Sequence, residues 1–235
     1  MDIILAILKI MLGFAIIIGV HELGHGVAAT LVGVKIKKFS LGMGPGFKFK
    51  NVPWLNEVVI SPIVIGGYVM LDDEALEQKS FWQKTFVSFG GMLSNVMCAI
   101  IILICLGWPI LNAVSLSLTI WLGGWLIFIR GMNSGEVTSN DMAGPVAIGQ
   151  MLAGTESATA GMPYWFIVAF LSLAIAMFNL LPMPPLDGGR IIMDMVKLIF
   201  EPVKARVINT ILALTGTILL LTLLIWVVFN DISKL

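Results

Sequence analysis

His21-Glu22-Leu23-Gly24-His25 sits at the end of a nearly uninterrupted apolar run from Ile3 to Val20, and the reading of these five residues decides what kind of chain this is. Residues four apart on a helix share a face, so His21 and His25 can each aim one ring nitrogen at a single zinc ion, with Glu22 beside the open coordination position. This is the spacing of zinc hydrolases. The same string arises by chance on ordinary amphipathic helices, where it means nothing without a third ligand. Here the two histidines are the only ones in 235 residues, and ionisable groups inside a membrane-buried helix mark function.

Composition places the chain in a bilayer. It is 58% hydrophobic and 12% charged, with a mean hydropathy of +1.00, whereas a soluble domain carries about twice that charged fraction. Fourteen basic residues balance fourteen acidic ones, which leaves no electrostatic footprint for nucleic acid. Met1-Asp2-Ile3 lacks a basic n-region, and the apolar stretch after it carries the histidine motif instead of a cleavage site, so it reads as a retained helix and not a signal peptide. Cys98 and Cys105 lie seven apart in one apolar run, about 10 Å along a helix and too far for a disulfide.

Taken in order, the first span runs from about Ile3 to Leu31. Three β-like runs follow, Val34 to Leu41, Gly46 to Lys50 and Glu57 to Ile65, punctuated by Gly44-Pro45-Gly46, Pro53, Pro62 and Gly66-Gly67. They predict a small membrane-reentrant sheet, tolerable at that depth only under a cover of protein or a water-filled cavity. A second span covers Phe81 to Leu106, a third Tyr164 to Leu181 and a fourth Val207 to Phe229, with a short surface helix from Ile191 to Phe200. The stretch 111–129 is apolar but interrupted by Asn112, Ser115, Ser117, Thr119 and Gly123-Gly124.

Charge decides how that stretch is read. Seven lysines fall in residues 31–84 and four basic residues in 190–206, but only Arg130 in 107–163. Four spans, with 111–129 lying on the outer surface, put both basic segments in the cytoplasm and both termini outside. The expected fold is therefore mainly α and polytopic, with four transmembrane helices, a reentrant β-sheet after the first, and a surface-lying helix around 111–129. It forms one domain over 1–235, in which 1–110 holds two spans and the sheet, 111–163 an outer segment, and 164–235 the last two spans.

A catalytic zinc needs three protein ligands and one exchangeable position. Asp187 follows a proline-broken helix end and precedes Gly188-Gly189, an arrangement that lets backbone approach a metal closely. Aspartate is equally a favoured N-cap for the helix that follows. Beside the histidine motif, Asn179-Leu180-Leu181-Pro182-Met183-Pro184-Pro185-Leu186-Asp187-Gly188 resembles the second half of the paired signature of the site-2 protease family of intramembrane zinc metalloproteases. Phe39-Ser40-Leu41-Gly42, Gly66-Gly67-Tyr68-Val69, Gly144-Pro145-Val146-Ala147-Ile148 and Phe229-Asn230-Asp231 are similar to stretches of the bacterial members that cleave anti-sigma factors. The chain departs from them by passing from Pro109 straight into the segment before Gly144, where those members carry PDZ domains. It departs again in Gly91-Met92-Leu93-Ser94-Asn95, where Met92 replaces a common proline and Asn95 either lines the site or bonds between helices.

The resemblance implies Zn2+ held by His21, His25 and Asp187, with Glu22 as general base. It implies a substrate-binding role for Asn179, whose plainer reading is a helix-end hydrogen bond. Gly66 and Gly67 would allow an extended substrate to approach the sheet edge, and Pro182 and Pro184 would keep the chain before Asp187 extended along the cavity. The expected partners are membrane-protein substrates with a transmembrane helix, such as anti-sigma factors or signal-peptide remnants, together with the lipid bilayer, and no nucleic acid. The expected location is the bacterial inner membrane, with the site toward the cytoplasm. A membrane metal-ion transporter is the rival reading, since intramembrane His and Asp also mark ion pathways, but a transporter has no need of Glu22 beside its first ligand.

Overall fold

The fold is built around a first helix whose far end is clasped by a sheet. The computed structural model describes residues 3–134, 145–154 and 161–233. Helix α1, Ile3–Leu31, is about 43 Å long, more than a hydrocarbon core requires. It stops where Gly33 takes φ +77°, with Gly33 N–H bonding to Thr30 O at 3.0 Å and Val34 N–H to Ala29 O at 2.8 Å. That is the Schellman stop, which needs a residue free to turn left-handed.

Strands β1 Ile36–Met43, β2 Phe47–Val52, β3 Asn56–Ile60 and β4 Ile63–Leu71 follow, and they lie side by side as β2-β3-β1-β4. The third β-like run of the sequence divides at Ser61-Pro62, because Pro62 has no N–H to continue a ladder. As a result β4 crosses to the other side of β1 and pairs with it antiparallel, while β1 and β3 run parallel. Ile36 and Leu71 carry the sheet onto Ala28, Ala29 and Val87. The sheet thus packs on the second half of α1, where the histidines are.

After the short α2, Asp73–Glu77, helix α3, Phe81–Cys105, starts from a Ser80/Gln83 capping box. It lies against α1 through small residues. A Cβ at Gly24 would overlap Gly90 O and Ser94 Oγ, and one at Gly90 would overlap the Gly24 carbonyl. This contact lets two backbones touch without help from the hydrophobic effect.

Helices α4 Ile110–Ser134, α5 Pro145–Ala153, α6 Tyr164–Asn179, α7 Asp187–Ile199 and α8 Pro202–Ile232 complete the described residues. Tyr164 Oη donates to Lys9 O at 2.8 Å, and Asp187 lies beside His21, so α6 runs parallel to α1. One core unites Met92, Val96, Ala99 and Leu103 of α3 with Ala113 and Trp121 of α4 and Ala169, Leu173 and Ala176 of α6.

Helix α4 is where the fold departs from expectation. Trp108 stacks on Phe166 at the first turn of α6, and Trp125 Nε1 donates to Met177 O at its last, 3.1 Å away. The helix therefore runs the length of α6 as a member of the bundle and does not lie across its end. The distribution of charge had placed it on the outer surface, and its scattered polar residues do not require that, since Ser117 is fully buried. Among the described residues, the helices long and apolar enough to cross a membrane are Ile4–Leu31, Phe81–Cys105, Ile110–Gly131 and Pro202–Ile232, and α6 at 16 residues is shorter. The two basic segments nonetheless meet on one face, because Glu77 pairs with Lys84 at 2.9 Å and with Lys197 at 2.7 Å.

Candidate metal centre

His21 and His25 point from one face of α1, and the loop after α6 brings Asp187 to them. Asp187 Oδ2 lies 3.0 Å from His21 Nε2 and 3.2 Å from His25 Nε2, and the two Nε2 atoms are 3.2 Å apart. All three residues are buried. Among the described residues they form the group of His, Cys, Asp or Glu side chains able to share one metal ion.

The chemistry of these atoms fits a cation. His25 Nδ1–H donates to Val87 O at 2.8 Å, so in the neutral ring its Nε2 carries a bare lone pair. Asp187 Oδ2 is buried and makes no hydrogen bond, despite its distance from both rings. Lone pairs aimed at one another from this range repel unless a positive charge lies among them, which is the electrostatics of a tetrahedral zinc ligand set. The Val87 carbonyl and the Asn95 amide, whose nitrogen lies 3.3 Å from His21 Nδ1, are the outer partners that orient such rings. The Asn95 contact meets both readings, since it crosses from α3 to α1 and ends on His21.

Asp187 is the first residue of α7, not its N-cap. The cap position is Leu186, which offers no side-chain bond. The loop 180–186 folds back over the first turn of α7 so closely that a Cβ at Gly188 would overlap Leu181 O and one at Gly189 would overlap Pro184 N. These two glycines let the turn form and so aim the carboxylate. Pro184 is buried in this packing and Pro182 is exposed.

Glu22 stands apart from the three. Its Oε2 accepts the Val69 N–H of β4 at 2.9 Å, and Gly67 lies against it, since a Cβ there would come 3.7 Å from Glu22 Cγ. Gly66 instead faces the Met43 side chain. Asn179 ends α6 with its Nδ2 donating to Ile175 O at 3.0 Å, the helix-end bond. Gly144 and the rest of 135–144 lie outside the described residues.

Sequence reasoning passed over three participants. Val87 O and Val69 N–H are backbone groups, which leave no trace in residue type. Gly91 entered only as the first residue of Gly91-Met92-Leu93-Ser94-Asn95, with no role of its own. A Cβ at that position would overlap His25 Nε2 and come 2.8 Å from His21 Cε1, so this glycine makes the room that both rings occupy.

Comparison with known proteins agrees with this centre. The model of Peptidase family M50 matches residues 9–223. A Clostridium perfringens protein described as "Putative zinc metalloprotease" is 26% identical over 333 aligned residues, covering 94% of this chain and 97% of that protein. An alignment longer than this chain means that the relative holds residues with no counterpart here. A Streptococcus pneumoniae protein of the same description is 35% identical over 97 residues, 41% of this chain and 23% of its own length. The "Regulator of sigma E protease" of Haemophilus influenzae is 32% identical over 123 residues, 46% of this chain and 28% of its own. The chain thus spans nearly all of the first relative and about a quarter of each of the others.

Proposed function

As a member of peptidase family M50, this chain is one for which we propose hydrolysis of peptide bonds within or near transmembrane segments of membrane proteins, by an intramembrane zinc metalloprotease. The observation that carries the reading is the convergence of two imidazole nitrogens and a carboxylate oxygen, all buried, beside a glutamate outside that set. His21, His25 and Asp187 would hold the zinc. When bound, zinc supplies the Lewis acidity that brings a water's pKa toward neutrality. Glu22 would take a proton from the attacking water on a carboxylate oxygen and hand it to the leaving amine, while Val87 O and Asn95 keep the two rings in ligand orientation.

A transmembrane helix spends its carbonyls internally, so the scissile segment reaches the site only when unwound. The extended segment pairs with β4, whose outer edge runs past Glu22, and Gly67 keeps that edge close to α1. Asn179, Gly66, Pro182 and Pro184 are proposed as further substrate contacts. Substrates of regulated intramembrane proteolysis, such as anti-sigma factors, or signal-peptide remnants suit this geometry. The face where Lys84, Glu77 and Lys197 meet is rich in lysine, which supports a cytoplasmic orientation in a bacterial inner membrane. The chain is read as one catalytic domain without an inserted PDZ module. A metal-ion transporter is disfavoured, because it leaves Glu22 without a task.

The test is cleavage of a labelled single-span protein by the purified chain in liposomes. Wild type is expected to cut it, and a zinc chelator is expected to abolish cutting. Cleavage that survives chelation would sink the metalloprotease reading.

A further inference from the structure

We propose that the Val69 N–H on the edge of β4 holds Glu22 back in the substrate-free protein and releases it when a substrate strand pairs with that edge. The inference rests on the protease reading and adds to it a coupling between docking and the general base. Among the described residues, β1 is the strand that pairs with β4, and it lies on one side. Val69 is in register with Phe39 of β1, yet its N–H goes to Glu22 Oε2 at 2.9 Å, so that donor points away from β1. Backbone groups of alternate residues in an antiparallel strand face the same edge, which puts those of Gly67 beside it. A Cβ on Gly67 would lie 3.1 Å from Ile18 Cγ2 and 3.7 Å from Glu22 Cγ. Ile18 and Glu22 of α1 therefore lie against β4 here, and the Glu22 carboxylate takes the edge donor of Val69.

A strand added at this edge needs the Val69 N–H for one of its own carbonyls. Glu22 already has it. The exchange conserves hydrogen bonds: N–H to carboxylate breaks, and N–H to substrate carbonyl forms. The freed carboxylate belongs to α1, one residue after His21 and three before His25, the helix that carries both rings. A helical segment cannot displace Glu22, because its carbonyls are bonded internally. A peptide too short to reach Val69 cannot do so either, so the base is delivered only to extended substrates.

The experiment compares wild type, Val69→Ala and Val69→Pro as full chains in detergent micelles. Proline removes the donor and is tolerated on a sheet edge, whereas alanine keeps it. Each is given a long unwound single-span substrate and a short capped peptide that does not reach β4. Wild type and Val69→Ala should favour the long substrate, and Val69→Pro should lose about tenfold of that preference, partly through faster cutting of the short peptide, with zinc content unchanged. An unaltered preference in Val69→Pro would overturn the proposal and leave the protease reading standing. Hydrogen exchange at the Val69 amide decides the matter if that variant fails to fold or if wild type cuts neither substrate. Protection should fall in Glu22→Ala and return when a strand-forming peptide is added, and protection that ignores Glu22→Ala refutes the exchange.

Discussion

Asn95 illustrates how much of the centre is decided by a single side chain. It is fully buried, its nitrogen lies 3.3 Å from His21 Nδ1, and its Oδ1 has no partner. If His21 ligates through Nε2, its Nδ1 carries the proton and needs an acceptor, so the amide turns its oxygen to the ring. Amide oxygen and nitrogen are interchangeable in shape, and the hydrogen-bond network assigns them. Asn95→Leu should lower zinc affinity about 10–100-fold, while Asn95→Asp, which keeps an acceptor, should stay near wild type; competition with a chelating dye reads both. Gly91→Ala should cost at least about tenfold in the same assay, because its methyl group enters the space of His25 Nε2. His21, Glu22 and His25 were legible in residue type and spacing, whereas Asp187 reads equally well as an N-cap and was singled out only by the resemblance of its stretch to the family's second motif. Val87 O and Val69 N–H were not legible, because any residue at those positions offers the same backbone group.

The end of α1 and the start of α3 fall where the sequence reading put them, at Leu31 before Gly33 and at Phe81 after the Ser80 cap, whereas the run read from Glu57 to Ile65 is parted at Pro62 into β3 and β4. Helix α4 was misjudged because charge bias argued about loops, while its place is set by packing of Ala113 and Trp121 into the core shared with α3 and α6. The pairing of Phe229-Asn230-Asp231 with Pro145-Val146-Ala147 was equally out of reach, since the two stretches are far apart in the chain. In the fold, Asp231 Oδ2 accepts the N–H groups of Val146 and Ala147, each at 3.1 Å. A carboxylate at a helix start satisfies donors that the helix itself cannot, so the last turn of α8 caps α5 from outside. Asp231→Ala should lower stability by about 1–2 kcal/mol, seen as an earlier thermal unfolding transition in detergent, with zinc binding preserved because α5 lies at the Lys9 end of α1.

The molecule as a whole is a bundle that hides a polar centre and faces lipid with the rest. Large apolar side chains such as Ile211, Leu214, Ile218 and Leu219 of α8 are exposed, an outer surface suited to a bilayer and not to water. Beyond the far end of α1, Lys197 first and Lys84 second hold the Glu77 carboxyl below the usual carboxylate range, so this clamp between the two basic segments loosens only as pH falls through that lowered value. The central claim is that His21, His25 and Asp187 bind one zinc ion and that Glu22 serves it without being a ligand. Zinc content and substrate cleavage measured on the same preparation of Glu22→Gln test it most directly. The account predicts one zinc per chain, as in wild type, with cleavage reduced by at least about a hundredfold; a Glu22→Gln protein that has lost its zinc, or one that still cleaves at the wild-type rate, would contradict it.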